Sequence, residues 1–261
     1  MTSTVGARET AAPSSASTVH PAWLVAPVCA LPAVLVVLVL ALIGVPVVVA
    51  ALLAVLAAFA FAVWLIRSSE QAVIGALAMR PATETDQPRL FNMVDGLCDS
   101  HGFRRPALFV IDDDGRNAVV YGRRGDRASL AVTRGWLDAT SRMGLEGLLA
   151  RELARCNSPA LPTATVAASV ARVLPGGLRS RLVRRVTGPH RAMLDDFEAI
   201  GLTRYPPGLA AALATLNEGT PVVRGAGSFT AHLWVTPPVA GRSNLGEIAP
   251  LDLRIDALRE L

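Results

Sequence analysis

Between Pro21 and Ile66 the chain carries no charged residue. A helix that crosses the hydrocarbon core of a bilayer needs roughly 20 apolar residues. This run holds two such lengths, Trp23 to Ile43 and Val47 to Ile66, separated by Gly44-Val45-Pro46. The pattern predicts a transmembrane helical hairpin over residues 21–66. A secretory signal has a basic start, one short apolar region and a small-residue cleavage site. The run is too long for that, and residues 1–20 before it are rich in Ser, Thr and Ala with only Arg8 and Glu9 charged. They read as a disordered N-terminal segment.

Past the hairpin, polar and apolar positions alternate over shorter distances. Residues 67–85 read as a stalk, helical to Met79, and a linker from Pro81 to Thr85. Residues 86–261 read as one soluble domain, large enough for a single core. It opens with a helix that Thr85 or Asp86 can cap, with Pro88 in the first turn. Leu90, Phe91, Val94, Leu97 and Cys98 recur at helical spacing before Gly102 ends it. "ALFVID", Ala107 to Asp112, reads as a strand with "DDG" as its turn, and "NAVVYG" and "ASLAVT" as two more strands around the polar "RRGDR". Three short strands among helices predict an α+β fold, mostly helical, with a small antiparallel sheet.

The next stretch, "LEGLLARELARCN" (Leu145 to Asn157), is helical and apolar nearly all round. Such a helix is buried over most of its circumference. Yet it carries Arg151, Glu152 and Arg155, and buried charges are costly unless paired. The three require partners or a water-filled cleft. Further on, Pro206 and Pro207 start a helix whose Leu209, Leu213 and Leu216 face a core. "PLDLRIDALREL" is an amphipathic terminal helix, and "GSFTAHLWVTPP", with His232 and Trp234, reads as structural.

Charge adds orientation. Arg67, Arg80, Arg89, Arg104 and Arg105 follow the hairpin, and by the positive-inside rule that side is cytoplasmic. The expectation is a multi-pass cell-membrane protein with its soluble domain in the cytoplasm. A net charge of +4 is mild, and without a basic patch interleaved with aromatics no nucleic-acid partner is expected. All 25 basic residues are arginine. The three cysteines, Cys29, Cys98 and Cys156, lie too far apart to suggest a disulfide framework. "PGGLRSRLVRR", after Arg172, clusters Arg179, Arg181, Arg184 and Arg185 with Leu178, Leu182 and Val183. A basic amphipathic segment of this kind can lie on anionic membrane lipid, or it is an ordinary solvated face. No Gly-rich phosphate loop, nucleophile elbow or repeat occurs.

Helix, strand, "NAVVYG", "ASLAVTRGWL" and then "LEGLLARELARCN", in that order, resemble the HtpX-like and CAAX-prenyl-protease-type membrane zinc metallopeptidases. "HRAMLDDFEAIGLTRYPPGLAAALATL", "TAHLWVTPP" and "PLDLRIDALREL" extend the resemblance from Arg80 to Leu261, and the hairpin suits the family. The resemblance implies a zincin-like fold. It also implies two histidine ligands in A-H-E-L-A-H, a glutamate base after the first, and a third ligand from E-x-x-x-D. Carried over, the histidine positions hold Arg151 and Arg155, the base position holds Glu152, and "AMLDD" puts Ala192 at the third ligand and Asp196 at its aspartate.

A guanidinium has only donors and stays protonated to a pH of about 12, so it cannot ligate a cation. No zinc cofactor is expected. Cys156 and His190 are the nearest substitutes, but His190 projects roughly 200° round a helix from position 192. Arg151 and Arg155 are instead expected to pair with Glu152, Asp195 and Asp196 in a salt-bridge cluster. The expected function is a membrane-anchored pseudoprotease that binds or scaffolds a protein partner. The resemblance also implies a sheet edge along which substrate adds as a strand, so extended peptide segments would pair at Asn117, Ala118 and Val119. The alternative is an active zinc metalloendopeptidase of membrane-protein quality control using substitute ligands.

Overall fold

The computed structural model describes residues 21–75, 77–124, 127–188, 190–240 and 249–261. Residues 1–20, expected to be disordered, lie outside them, as do 125–126 in the turn expected after "NAVVYG". Two long helices come first, α1 (Pro21–Leu42) and α2 (Val47–Arg67), turning at Gly44 with φ +81°. Both are long and apolar enough to cross a membrane, and they pack on each other.

The segment after α2 differs from the expected stalk and linker. α2 ends at Arg67, and a separate short helix α3 (Ser69–Ile74) follows. The Ser69 hydroxyl donates to the Ile66 carbonyl at 2.8 Å, and a serine that takes up its own helix carbonyl favours a bend over a straight continuation. Met79–Pro81 then forms strand β1, pairing antiparallel with β2 (Ala107–Ile111). Val73 of α3 joins the main core. Ser69–Ile74 and Met79–Pro81 are therefore built into the domain. The helix between these strands, α4, spans Pro88–His101 with Gln87 at its N-cap and Gly102 at φ +65° ending it. Thr83 holds Asp86 in the preceding turn, so neither Thr85 nor Asp86 caps.

Strands β3 (Ala118–Arg124) and β4 (Arg127–Thr133) complete a four-stranded sheet of order β1-β2-β4-β3. The sheet is mixed: β3 pairs antiparallel with β4, but β4 lies parallel to β2, with Val110 beside Val132. A parallel neighbour needs a long connection back. Here β3 supplies it: the chain passes from β2 to the edge, then turns back to fill the gap. Alternating hydrophobicity marks strands but does not encode their direction, which is why an antiparallel sheet was expected.

Helices cover the sheet. α5 (Arg134–Ala139), α6 (Arg142–Cys156), α7 (Leu161–Val173), α8 (Gly176–Thr187), α9 (Arg191–Thr203) and α10 (Pro206–Glu218) follow in order, then a 3₁₀ turn (Ser228–Leu233) and α11 (Leu251–Arg259). Leu148, Leu149 and Leu153 of α6 sit in one core with Val119, Leu130, Leu209 and Leu213.

The β3 edge is closed. Val235 N–H donates to the Ala118 carbonyl at 3.1 Å, Trp234 bridges Val119 antiparallel, and Asn117 donates to the carbonyls of Pro221 and Thr236, both at 2.9 Å. Asn117, Ala118 and Val119 are fully buried. The expectation that extended peptides pair with this edge is therefore overturned, because residues 234–236 of the same chain already occupy its backbone groups.

Candidate functional site

Helix α6 runs through the core. The Ser141 hydroxyl caps it, accepting from Gly144 N–H at 3.1 Å. Gly147 lets it close onto α10, since a Cβ there would lie 2.6 Å from the Leu209 nitrogen. Every residue from Gly147 to Cys156 is buried. The side chains of Arg151 and Glu152 are 1% and 0% exposed, so charge this deep depends on what it meets.

It meets α9. Arg151 Nε donates to Asp196 Oδ1 at 2.7 Å, its Nη2 lies 3.6 Å from Asp195 Oδ2, and its Nη1 is hydrogen-bonded to Glu152 Oε1. Arg155 Nη1 donates to Glu152 Oε2 at 3.1 Å, and its Nε lies 3.3 Å from Asp195 Oδ2. The same guanidinium donates to the carbonyls of His232 at 3.0 Å and Leu233 at 3.2 Å. The structure thus brings Arg151, Glu152, Arg155, Asp195 and Asp196 together.

Two more arginines join them. Arg191 Nε lies 2.7 Å from Asp195 Oδ1. Arg254 of α11 holds Asp196 with both Nε, at 2.6 Å, and Nη2, at 2.7 Å, while its Nη1 donates to the Val235 carbonyl at 3.0 Å. The sequence reading placed neither Arg191 nor Arg254 in the cluster, and Arg254 is the fully buried one of the two. Its signal was there: Leu251, Ile255 and Leu258 form the apolar stripe of the last helix, and Arg254 interrupts that stripe at position i+3 from Leu251.

Four arginines thus face three carboxylates. Arg191 keeps 30% of its side chain exposed, so the unbalanced positive charge has access to water. Burial alone would lower the Arg151 pKa, but Glu152, Asp196 and Asp195 outweigh it and push it up. Arg254 goes the other way, lowered by burial and by the charge of Arg151 against the pull of Asp196.

Around the cluster the ionisable groups are held neutral. His232 Nε2 lies 2.8 Å from the Ala164 carbonyl, so Nε2 carries the proton. Burial, together with the charge of Arg155, pushes the ring's pKa down to about 4. Burial first and the Glu152 charge second push the Cys156 thiol up. The expected structural role of "GSFTAHLWVTPP" agrees with this packing: Trp234 Nε1 donates to Thr230 Oγ1 at 3.0 Å.

The zinc that the resemblance implies does not fit these groups. Arg151 and Arg155, where the resemblance implies histidines, are buried cations that only donate. Each Glu152 oxygen accepts from an arginine. Ala192 has no ligating atom, both Asp196 oxygens are taken, and His190 is exposed at the start of α9 with φ +61°. Among the described residues no group of three or more His, Cys, Asp or Glu side chains is placed to hold a metal ion.

No protein-family profile matches the chain, and no solved structure matches it. Curated proteins do. The chain is 29% identical over 229 residues to a protein named Protease HtpX homolog from Dictyoglomus thermophilum, covering 74% of this chain and 76% of the relative. It is 26% identical over 219 residues to the protein of that name from Tropheryma whipplei (strain Twist), covering 70% and 75%. It is 22% identical over 246 residues to the one from Streptococcus gordonii, covering 77% and 82%. These matches cover most of the chain and most of each relative, so the chain is similar to HtpX homologues over most of its length.

Proposed function

We propose that this chain is a membrane-anchored HtpX-like protein that does not hydrolyse peptides through zinc and acts as a binding or scaffolding partner of another membrane protein. The observation that carries this function is the ion cluster. Hydrolysis by the family's route needs a metal-polarised water and a carboxylate free to take its proton. Here arginines stand at two ligand positions, and both oxygens of Glu152 are committed to them. Helix α6 still packs on α9, with fixed guanidinium charge where the ion's charge would lie. A domain kept intact without its chemistry suits partner binding. The two apolar helices anchor it, and the arginines that follow them favour a cytoplasmic domain.

Zinc stoichiometry by elemental analysis on detergent-purified protein tests this. The wild type is compared with the Arg151→His, Arg155→His, Ala192→Glu triple variant. The expected result is no zinc in the wild type and near-stoichiometric zinc in the variant. Stoichiometric zinc in the wild type, with chelator-sensitive cleavage of a membrane-protein substrate, overturns the proposal in favour of a working peptidase.

A further inference from the structure

Helix α8 stands apart from the ion cluster, and its surroundings point to a second kind of contact. Leu182 of α8, and Leu174 just before it, pack on a group made by Val25 and Cys29 of α1, Leu65 of α2, and Val166 and Val170 of α7. These α1 and α2 residues lie at the end of the hairpin nearest the domain. The same end carries Trp23 and Trp64, 76% and 52% exposed, and then Arg67. Tryptophan and arginine at the ends of apolar helices mark the headgroup level of a bilayer. The Ser169 hydroxyl donates to the Leu65 carbonyl at 2.8 Å, which fixes α7, and α8 after it, against that level.

The exposed face of α8 has the matching chemistry. Leu178, Arg181 and Arg185 share the exposed side of the helix, with Leu182 at its border packed on the hairpin, while Ser180 and Val183 are buried on the other side. Leu178 is 51% exposed, and Val173 at the preceding turn is 44% exposed. Arg179 is used internally, donating to the carbonyls of Ala171 at 2.8 Å and Leu174 at 3.2 Å. Arg172, Arg181, Arg184 and Arg185 are exposed, and none makes an ion pair among the described residues. No Asp or Glu occurs between Glu152 and Asp195. Unpaired arginines beside exposed aliphatic side chains, tied to the foot of two apolar helices, are the signature of an interfacial helix.

We infer that α8 lies on the surface of an anionic bilayer at the foot of the hairpin, with Leu178 entering the headgroup region and Arg181 and Arg185 on lipid phosphates. This rests on the membrane anchoring proposed above. It is tested on the full chain reconstituted into vesicles of phosphatidylcholine, with or without phosphatidylglycerol. A fluorophore is placed at Leu178→Cys, the native cysteines being buried. In phosphatidylglycerol vesicles the label is expected to be quenched by headgroup-proximal spin-labelled lipid and shielded from acrylamide. Arg181→Glu with Arg185→Glu should reduce the lipid quenching several-fold, and the matching lysine substitutions should preserve it. A label open to acrylamide in both lipids overturns the inference, as does one shielded in both and indifferent to charge reversal, which marks a protein contact instead. If the chain does not float with vesicles at all, the anchoring itself fails and this inference falls with it.

Discussion

Arg254 and Asp196 are joined by two bonds, Nε to Oδ2 at 2.6 Å and Nη2 to Oδ1 at 2.7 Å, and both residues are almost fully buried. The pair locks α11 onto α9, and since Asp196 also accepts from Arg151, it links the chain's last helix to the middle of α6. Without Arg254, Asp196 keeps only Arg151 and the Val235 carbonyl loses its donor, and breaking a buried pair in this way is strongly destabilising. Arg254→Met is expected to destabilise the domain by about 3–5 kcal/mol, measured by denaturant unfolding in detergent. Arg254→Met with Asp196→Leu should cost clearly less than the sum of the single changes. Additive losses would show that the two side chains do not support each other.

A similar comparison applies within α6. Arg151→Leu leaves Glu152 with only Arg155 and removes one of the two arginines on Asp196. It is expected to cost roughly 3–5 kcal/mol. Adding Glu152→Leu removes the carboxylate that has lost one of its two arginines, while Arg155 keeps Asp195 and two carbonyls, and should recover part of that loss. Unfolding midpoints of the two variants decide it: a double variant less stable than the single one would mean that the Glu152–Arg155 pair stabilises the fold on its own once Arg151 is gone.

These charges show how far the sequence could be read. Arg151, Glu152 and Arg155 were conspicuous because they broke an apolar helix, and Asp195 and Asp196 because they fell in the second motif string. Arg254 sat on the buried stripe of a short helix that looked ordinary, and only the tertiary fold places it beside Asp196, 58 residues away. The two long apolar helices were legible because the uncharged run holds two helix lengths broken at Gly44-Val45-Pro46. Strand direction and the closing of the β3 edge by residues 234–236 were not legible, since both depend on contacts between segments distant in sequence. The β1 strand was hidden for a related reason: three residues ending in proline carry too little pattern to separate from a linker.

Packing between α6 and α10 gives a prediction free of charge. A Cβ on Gly147 would come 2.6 Å from the Leu209 nitrogen and 2.8 Å from the Gly208 carbonyl carbon, and backbone cannot move aside as a flexible side chain can. Gly→Ala inside a helix would otherwise gain up to about 1 kcal/mol. Here Gly147→Ala is expected to lose stability, by roughly 1–3 kcal/mol as overpacking does. At Gly96 of α4, where an added Cβ meets nothing within 4 Å, the same change should be neutral or stabilising. Equal effects at the two positions, read from thermal unfolding, would refute the tight α6–α10 contact.

His232 sets a pH dependence whose sign can be worked out. Its ring is neutral in the folded protein, with a pKa pushed from an ordinary 6.5 down to about 4 by burial and by Arg155. Below pH 6.5 the unfolded chain takes up a proton that the folded chain refuses until about pH 4. Stability from this group is therefore complete above pH 6.5 and falls as pH drops toward 4, by on the order of 3 kcal/mol. Carboxylates in the cluster add their own acid sensitivity, so the test is a difference. His232→Gln retains a donor for the Ala164 carbonyl and cannot titrate. The wild-type-minus-variant stability should be constant above pH 7 and decline between pH 6.5 and 4. A difference flat across that window would mean that the folded protein accepts the proton on Nδ1, and that the buried ring tolerates a charge beside Arg155.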